Sequence, residues 1–375
     1  MNFDLSEDDA ALQDSVARWV QQRYPFDARR KLAAQAPGFS RAHWREMAQL
    51  GWLAVPFDEA LGGLDGGALG TMLLMEQLGK GLVLEPYVGS VLLFGGLMQR
   101  SAAQRGEWVP KVIDGSALGA LACFERDGRD DLADVQTRLQ PAGDGWRLDG
   151  DKALVLNGAG ADQLIVSARS SGDRFDTAGL SLVRIDASAA GVERTPLQLM
   201  DGQWVANVRF RDVPVAASQL LFAPGEAWQP LHDAADQAML ALSAEALGVM
   251  QVLHETTLDY VKTRKQFGVT IGSFQVLQHR LVDMYSALEQ TRSLLIRAVC
   301  SADAGSAEAR RDLLALKVMV GKAGRLIGGE AVQMHGGMGM TDELIVGHGM
   351  KRLMVIDTSF GNADVQRTRF AALAA

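Results

Sequence analysis

The spacing of apolar residues changes twice along this chain, and this double change constrains the fold more than any other feature. Up to about residue 114 the apolar residues recur at helical spacing, as in residues 10–20. Residues 117–222 break into short runs bounded by turn residues, which are typical of strands in an antiparallel barrel or sandwich. Helical spacing returns from residue 225. This order differs from a βαβ series and predicts an α+β protein in three parts.

The three parts have expected boundaries. We expect an N-terminal α-helical domain at residues 1–115, a central antiparallel β domain, a barrel or a sandwich, at 116–224 and a C-terminal α-helical domain at 225–375. Ser6, with Asp9 three positions later, predicts the cap of the first helix. The pattern predicts strands at residues 118–124, 135–140, 145–158, 162–169, 179–185 and 204–213, and C-terminal helices at 228–264, 273–300, 308–335, 341–355 and 364–374.

Composition and charge argue against several classes of protein. The 45 acidic residues outnumber the 37 basic ones and the net charge is −8, so we expect no nucleic-acid partner. Cys123 and Cys300 form no disulfide framework and lack zinc-site spacing, and no histidine lies in an HExxH-type pair, so we expect no metal and a reducing, cytoplasmic setting. No run reaches the roughly 18 apolar residues of a membrane span, and we expect neither a span nor a signal peptide.

Two segments in the last third of the chain carry the most specific motifs. Residues 260–284, YVKTRKQFGVTIGSFQVLQHRLVDM, contain R-x-x-F-G-x-x-I-x-x-x-Q, and residues 333–344, QMHGGMGMTDEL, contain Q-x-x-G-G-x-G. Both resemble signatures of the acyl-CoA dehydrogenase family, and residues 44–63, WREMAQLGWLAVPFDEALGG, resemble its N-terminal helix and loop. The order of a helical, a strand-rich and a helical part is also that of the family, so the resemblance spans nearly the whole chain. It implies that the central domain is an antiparallel β-barrel and that the C-terminal domain is a four-helix bundle.

The resemblance implies a binding site for FAD. Members of the family bind FAD extended between the barrel and the helices, with part of it reaching a neighbouring subunit. The residues that match the family motifs are Arg264, Gln266, Phe267, Gln275, Gln333, Gly336 and Gly337. The planar, charged guanidinium of arginine suits a pyrophosphate, and the glutamine amide offers hydrogen-bond donors and an acceptor. Glycines let the backbone approach a phosphate closely. Each residue type also has a purely structural interpretation. The arginine can be a cation at a helix C-terminus, the phenylalanine a core residue, the glutamines solvated and the glycines part of a simple turn.

The family's chemistry needs a base that this chain lacks at the usual places. In the family a glutamate removes the α-proton of an acyl-CoA while a hydride passes from the β-carbon to the flavin, and that glutamate often stands in a Y-E-G-T motif. The matching stretch here is SFGNADVQ, which places Phe360 at that position. Some relatives carry the base on the first long C-terminal helix, where this chain has Ala238. Neither side chain can accept a proton.

Glu245, in LALSAEALGVM, is the nearest acidic candidate for the base. It follows Ala238 by nearly two helical turns, about 10 Å along the axis, and points to the same side. A carboxylate between alanines on an apolar helix needs a partner or a functional reason. We expect Glu245 to be the base, with pairing to a neighbouring helix or contact with the flavin edge as alternatives. The AEALG form resembles pimeloyl-CoA dehydrogenase small subunits and two-chain steroid side-chain dehydrogenases, in which one subunit can supply the base.

The barrel also departs from the family pattern. ERDGRDDL at residues 125–132 replaces the usual T-E-P-x-A-G-S-D, Phe124 stands where a hydroxyl would reach the flavin, and Leu156 replaces a threonine ahead of Asn157. Flavin binding would then depend more on main-chain donors. These departures favour an alternative in which the chain is a non-catalytic or half-site subunit that completes the flavin site of a heteromer.

The sequence therefore predicts FAD-dependent α,β-dehydrogenation of an acyl-CoA thioester to the trans-2-enoyl-CoA, with the half-site subunit as the alternative. A third alternative is other chemistry on the same flavin, as in an oxidase. The resemblance implies a homo- or hetero-oligomer (a dimer or tetramer, including the α2β2 form) and an electron-transferring flavoprotein as electron acceptor. We expect Arg352 and His348 to be structural or to contact another subunit, and His335 to line the nucleotide site.

Overall fold

Helices and strands follow one another in the order that the sequence pattern predicts. The computed structural model of the chain describes residues 4–373. Six α-helices come first, seven strands follow, and the rest of the described chain is helical apart from one short hairpin. The predicted α+β class, with a helical N-terminal region, a central sheet and a C-terminal helical bundle, is confirmed.

The predicted C-terminal helices are all present, with ends within a few residues of those expected, except that Ala374 lies outside the described residues. The helices are α1 (Glu7–Arg23), α2 (Phe26–Ala33), α3 (Arg41–Gln49), α4 (Gly67–Lys80), α5 (Gly96–Arg100), α6 (Arg105–Ile113), α7 (Trp228–Thr263), α8 (Gln275–Asp303), α9 (Ala309–His335), α10 (Ile345–Thr358) and α11 (Ala363–Ala372). The strands are β1 (Gly119–Ala122), β2 (Arg138–Ala142), β3 (Gly145–Leu156), β4 (Gln163–Arg169), β5 (Leu180–Asp186), β6 (Val192–Gln198), β7 (Trp204–Ala216), β8 (Lys265–Gln266) and β9 (Val269–Thr270).

The chain forms two compact units. The first, the helical unit, contains the chain up to Arg29, Ala68–Val83 and the chain from Met239 onward. The second, the sheet unit, contains Arg30–Gly67 and Leu84–Ala238. The three-domain division after residues 115 and 224 stays a prediction. None of the described helices is both long and apolar enough to cross a membrane.

Side chains cap α1 and α4 in the first unit. Ser6 Oγ accepts a hydrogen bond from the Asp9 amide at 3.1 Å, so the predicted cap of α1 is confirmed. The Asp303 carboxylate at the end of α8 accepts from the amides of Ala68 at 2.7 Å and Leu69 at 3.0 Å. These amides belong to the first turn of α4, where backbone donors have no partner within their own helix. Helix α9 packs against α8, α10 and α11 and forms the centre of the bundle.

The second unit contains a seven-stranded sheet in the order β1-β4-β2-β3-β7-β6, with β5 paired to β4. This sheet is mixed, where the sequence predicted antiparallel pairing throughout, because β1 and β2 both run parallel to β4. The long connection from β1 to β4 allows the two strands to run in the same direction, and alternation within a strand says nothing about its neighbour's direction. Leu148, Val166 and Phe210 are among the side chains that fill the core.

The sequence pattern did not predict β6. Its sequence, VERTPLQ, has little apolar alternation, and all its residues after Val192 are exposed. It also contains Pro196, which an edge strand tolerates because its free side needs no donor. At the end of the strand order, β6 pairs with β7.

Candidate active site

Glu245 lies within α7 and is only 4% exposed. Its Oε1 accepts a hydrogen bond from Arg352 Nε at 2.6 Å, and its Oε2 accepts one from Arg352 Nη2 at 2.7 Å. Arg352 belongs to α10 and is 5% exposed. The two side chains form a bidentate, charge-assisted pair inside the helical unit.

The structure shows Glu245 paired with a neighbouring helix, which was one of the alternatives to the role of base. This pairing leaves the role of base open, because each carboxylate oxygen has a second lone pair that the guanidinium does not use. Sequence reasoning treated Arg352 as structural and did not connect it with Glu245. The available signal was an arginine next to apolar residues in KRLMVI, since a buried arginine requires an acceptor.

Two glycines bring the backbone of α4 against that of α7. A Cβ at Gly79 would lie 2.2 Å from the Glu245 carbonyl oxygen, and a Cβ at Gly248 would lie 2.0 Å from the Glu76 carbonyl oxygen. Any side chain at either position would collide with main chain, so only glycine permits this approach. The crossing therefore fixes the position of the α7 backbone at Glu245.

The two positions where the family usually carries its base hold buried, inert side chains. Ala238 is fully buried, and Phe360 is 5% exposed with a left-handed φ of 59°. The Phe360 carbonyl accepts hydrogen bonds from Gln366 Nε2 at 2.8 Å and Arg369 Nη1 at 3.0 Å. The loop after α10 is thus held by α11.

Buried Lys317 binds the C-terminal end of α10, just before that loop. Lys317 on α9 donates from Nζ to the carbonyls of Ile356 at 2.5 Å and Asp357 at 2.9 Å. A cation at a helix C-terminus complements the helix dipole. Burial lowers the pKa of Lys317 to about 8, with the Asp357 carboxylate acting in the opposite direction.

The segment that begins at Arg264 forms a β-hairpin. Strands β8 and β9 pair antiparallel, and the two residues between them, Phe267 and Gly268, have φ values of 53° and 79°. Positive φ at both positions is typical of the two-residue turn that joins tight hairpins. The side chains of Arg264 and Gln266 are exposed, and that of Phe267 is 92% exposed. The hairpin presents these three side chains to solvent in the isolated chain.

The glycine segment begins where α9 ends. Gly336 has φ 61° and ψ −139°, a conformation that essentially only glycine adopts. A Cβ at Gly336 or Gly337 would meet no atom within 4 Å in the described part of the chain, so the backbone is open to a ligand there. Gln333 in the last turn of α9 and Gln275 at the start of α8 are both exposed.

Tyr260 and His335 join the hairpin to the glycine segment. Their rings stack with centroids 4.3 Å apart and planes inclined by 26°. His335 Nδ1 donates to the Ala331 carbonyl at 2.8 Å, which identifies the ring nitrogen that carries the proton. Burial lowers the pKa of His335 and favours the neutral ring. The Arg264 amide donates to the Tyr260 carbonyl at 2.8 Å, so the stack places both motifs side by side, a contact that the sequence pattern did not indicate.

In the sheet unit, Glu125 of the stretch that departs from the family pattern has structural partners. Buried Lys152 donates from Nζ to Glu125 Oε1 at 2.8 Å and to Ser167 Oγ at 3.0 Å. The same Glu125 oxygen accepts from the Thr137 amide at 2.9 Å. Asn157 has a φ of 59° and is buried. Glu125 of the ERDGRDDL stretch therefore stabilises the sheet from inside.

The exposed groups of the hairpin and the glycine segment fit a flavin dinucleotide. Exposed Arg264 carries a fixed positive charge that would suit a pyrophosphate, and exposed Gln266, Gln275 and Gln333 carry amide groups that would suit polar atoms of a nucleotide. The open backbone at Gly336 allows close approach of a phosphate. The helix–sheet–helix order agrees with the class of protein that the resemblance implies, a flavin-dependent dehydrogenase.

Comparison with known proteins identifies the family. The models for the acyl-CoA dehydrogenase N-terminal, middle and C-terminal domains match residues 6–116, 120–213 and 231–374. The chain belongs to the acyl-CoA dehydrogenase family, whose members are FAD flavoproteins and oxidoreductases acting on CH–CH groups.

Individual relatives cover almost the full length. The chain is 28% identical to the L-prolyl-[peptidyl-carrier protein] dehydrogenase of Serratia sp. (strain ATCC 39006), over 98% of this chain and 96% of that protein. A solved structure of PigA with FAD and proline has a TM-score of 0.92 and 27% identity, covering 100% of this chain and 99% of that one. A solved structure of a variant of the Tcur3481–Tcur3483 steroid ACAD has a TM-score of 0.87 and 28% identity, covering 98% of each chain.

Proposed function

We propose that this chain oxidises the Cα–Cβ bond of an acyl-CoA thioester to the trans-2-enoyl-CoA, with Glu245 as the base that takes the α-proton. One observation carries the proposal: α7 holds a buried carboxylate, and α7 is the helix on which some members of the family carry their base. When FAD is bound, it supplies the acceptor for the hydride from the β-carbon.

Glu245 has the properties that this role requires. Its two oxygens accept one hydrogen bond each from Arg352, so a lone pair on each oxygen stays available for a proton. The planar fork of Arg352 sets the plane of the carboxylate. A base positioned in this way accelerates proton transfer by about 10²–10⁴-fold.

The nucleotide would bind to exposed groups of the helical unit. Arg264 would pair with the pyrophosphate, Gln266 and Phe267 would contact FAD from the hairpin, and the backbone at Gly336 and Gly337 would donate to phosphate. Gln275 and Gln333 would bind polar atoms of the nucleotide. Because the charge of the whole chain is −8, these local groups must supply the attraction for an anionic cofactor and substrate.

The test compares Glu245→Gln with Glu255→Gln. Glu255 lies on the same helix, is exposed and accepts a hydrogen bond from Gln251 Nε2 at 2.9 Å. The substrates are butyryl-, isovaleryl-, glutaryl- and pimeloyl-CoA, a steroid side-chain CoA ester and an acyl group on a carrier protein, with an artificial electron acceptor. Glu245→Gln should lose at least about 100-fold in rate with unchanged flavin content, while Glu255→Gln keeps its rate. Full activity of Glu245→Gln rejects Glu245 as the base.

A second candidate is the half-site subunit of a heteromer. Two observations favour it: Phe360 stands at the usual base position, and Phe124 and Leu156 stand where the family has hydroxyl side chains. Purifying the chain alone and measuring its flavin content and its activity on the same substrates decides between the candidates. Full flavin occupancy and turnover by the isolated chain reject the half-site proposal, whereas turnover that requires a second chain supports it.

Exposed apolar groups near the nucleotide segments support an oligomer. Phe267 is 92% exposed, and Val276 and Val282 on α8 are each 60% exposed. A neighbouring subunit that covers them would complete the flavin site, and an electron-transferring flavoprotein would then accept the electrons. Cys123 and Cys300 are both free thiols, in keeping with a location in the reducing cytoplasm.

A further inference from the structure

The carboxylate of Glu245 is fixed by a single guanidinium on another helix. Arg352 donates from Nε and Nη2, at 2.6 and 2.7 Å, so that each carboxylate oxygen receives one hydrogen bond from the same planar group. Two parallel bonds from a planar fork determine both the distance and the rotation of the carboxylate. Arg352 therefore restrains the side-chain torsion that would otherwise let Glu245 turn.

The backbone beneath Glu245 is restrained as well. The crossing of α4 and α7 at Gly79 and Gly248 leaves no space for a Cβ, so α7 cannot approach α4 further. Backbone and side chain of Glu245 are thus held from two separate elements, α4 and α10. Such double restraint is what a reacting group needs, since a displacement of about 1 Å can lower a rate by about 100-fold.

The other charged groups of the elements packed around Glu245 are engaged elsewhere. Glu76 on α4 has Lys80 at 3.9 Å and Arg292 of α8 at 3.3 Å. On α10, Lys351 lies 3.9 Å from Asp342. Asp357, at the end of α10, has Arg325 of α9 at 3.6 Å, and buried Lys317 of α9 binds carbonyl groups at that end.

His348, one turn before Arg352 on α10, also has other partners. Its ring nitrogens lie 3.2 Å from Arg29 Nη1 and 3.2 Å from the Asp342 carbonyl oxygen. The charge that bears directly on the Glu245 carboxylate is therefore that of Arg352.

We propose that Arg352 is a positioning residue for the reaction, which holds the Glu245 carboxylate turned so that its unused lone pairs face the α-proton of the thioester. This inference rests on the proposed role of Glu245 as the base. A purely structural pair would tie α7 to α10 without affecting proton transfer, and the two roles differ in what the removal of the positive charge does to the pH dependence of the rate.

The test uses the flavin-loaded protein with Arg352→Gln, Arg352→Lys and, as a control, Lys351→Gln on the same helix. The probe is butyryl-CoA, or whichever substrate of the series above the natural protein exchanges fastest. Exchange of its α-hydrogen for deuterium in D₂O is followed by NMR, and kcat and KM are measured from pH 5 to 9. Flavin content and the thermal midpoint are recorded for each variant.

Arg352→Gln should slow α-exchange by about 100-fold, change KM much less than kcat, and move the acid limb of the rate profile to higher pH. Arg352→Lys keeps the positive charge but loses the planar guanidinium that makes two parallel hydrogen bonds. It should exchange about tenfold faster than Arg352→Gln and restore the acid limb. Lys351→Gln should behave like the natural protein. If Arg352→Gln does not fold, the lysine variant still tests positioning, because it should show slower exchange with an unshifted acid limb.

The proposal is overturned if exchange in either Arg352 variant falls only in proportion to the loss of folded, flavin-loaded protein, with the pH profile unmoved. It is also overturned if the lysine variant exchanges as fast as the natural protein. Failure of the underlying function is distinguishable: Glu245→Gln would then exchange as fast as the natural protein, or the natural protein would exchange none of the substrates.

Discussion

Gly79 of α4 touches the backbone of Glu245 so closely that a methyl group at position 79 would lie 2.2 Å from the Glu245 carbonyl oxygen. No rotation of a side chain can relieve such a collision, because the atoms it would meet are main chain. Position 79 is therefore as tightly coupled to the candidate base as a residue that binds it directly.

Gly79→Ala should separate α4 from α7 and displace Glu245. We expect a loss of about 1–3 kcal/mol in the free energy of unfolding, as for other insertions into a packed core, and a fall in kcat. Urea unfolding and steady-state rates measure both effects. Gly329→Ala is the matched control, because a Cβ at that exposed helical position meets no atom within 4 Å among the described residues and alanine favours the helix. Equal stability of the two variants would contradict the close crossing.

Removing only Arg352 from the Glu245–Arg352 pair should lower the free energy of unfolding more than replacing both residues by apolar ones. Arg352→Met leaves a buried carboxylate without its guanidinium and should lower the free energy of unfolding by about 3–5 kcal/mol. The double variant Glu245→Leu with Arg352→Met removes both charges and should recover most of that loss, because well-packed apolar residues can replace a buried pair. Denaturant unfolding of the single and double variants decides the matter. A double variant as unstable as Arg352→Met would show that the penalty does not come from the uncompensated charge.

His348 should make the stability of the helical unit depend on pH. Arg29 Nη1 donates to its Nδ1 at 3.2 Å, and its Nε2 donates to the Asp342 carbonyl at 3.2 Å, so the neutral ring satisfies both contacts. Burial, followed by the charge of Arg29, lowers the pKa of His348 below its unfolded value, and Lys351 acts in the same direction while Asp342 opposes it.

The sign of this effect follows from proton uptake on unfolding. The unfolded ring, with a pKa of about 6.5, binds its proton at a higher pH than the folded one. The stabilisation is therefore complete above about pH 6.5 and declines as the pH falls, by up to about 1.4 kcal/mol per pH unit. His348→Gln should flatten the fall in stability between pH 7 and 5, whereas His279→Gln at an exposed position on α8 should leave it unchanged. An unaltered slope in His348→Gln would contradict this assignment.

Arg264 should contribute to FAD affinity through its charge. Arg264→Gln removes a charge-assisted bond to phosphate, so we expect the dissociation constant of FAD to rise by about 10- to 100-fold. Fluorescence of free flavin during titration of the apoprotein measures it. Lys262→Gln, an exposed cation in the last turn of α7, is the control. If both variants bind FAD equally well, Arg264 stabilises the C-terminal end of α7 and does not bind the cofactor.

The spacing of apolar residues predicted most of the helices and strands. The pairing of the strands depends on contacts between distant parts of the chain and could not be predicted. The expected helix over residues 228–264 is Trp228–Thr263, because one apolar face continues along its whole length. Strand β6 escaped prediction because exposed, polar VERTPLQ lacks the alternation that burial of one face imposes. The parallel pairing of β1 with β4 depends on how the connection between them is routed, which no run of residues records.

Some residues of the candidate site could likewise be predicted from the sequence, and others could not. The residues proposed to bind the nucleotide could be named from the resemblance to the family's two signatures, since each motif is continuous in sequence. The partner of Glu245 could not be named, because Arg352 lies 107 positions away and only the folding of α10 against α7 brings the two together. The stack of Tyr260 on His335 likewise depends on the relative placement of α7 and α9.

The central claim is that Glu245 removes the α-proton, and the most direct measurement is deuterium incorporation at the α-carbon of an acyl-CoA incubated in D₂O with the flavin-loaded protein. NMR of the recovered thioester reports proton removal without requiring an electron acceptor. The account predicts rapid incorporation with the natural protein and with Glu255→Gln, and incorporation at least about 100-fold slower with Glu245→Gln at equal flavin content. Undiminished incorporation with Glu245→Gln would contradict it and assign the base to another group.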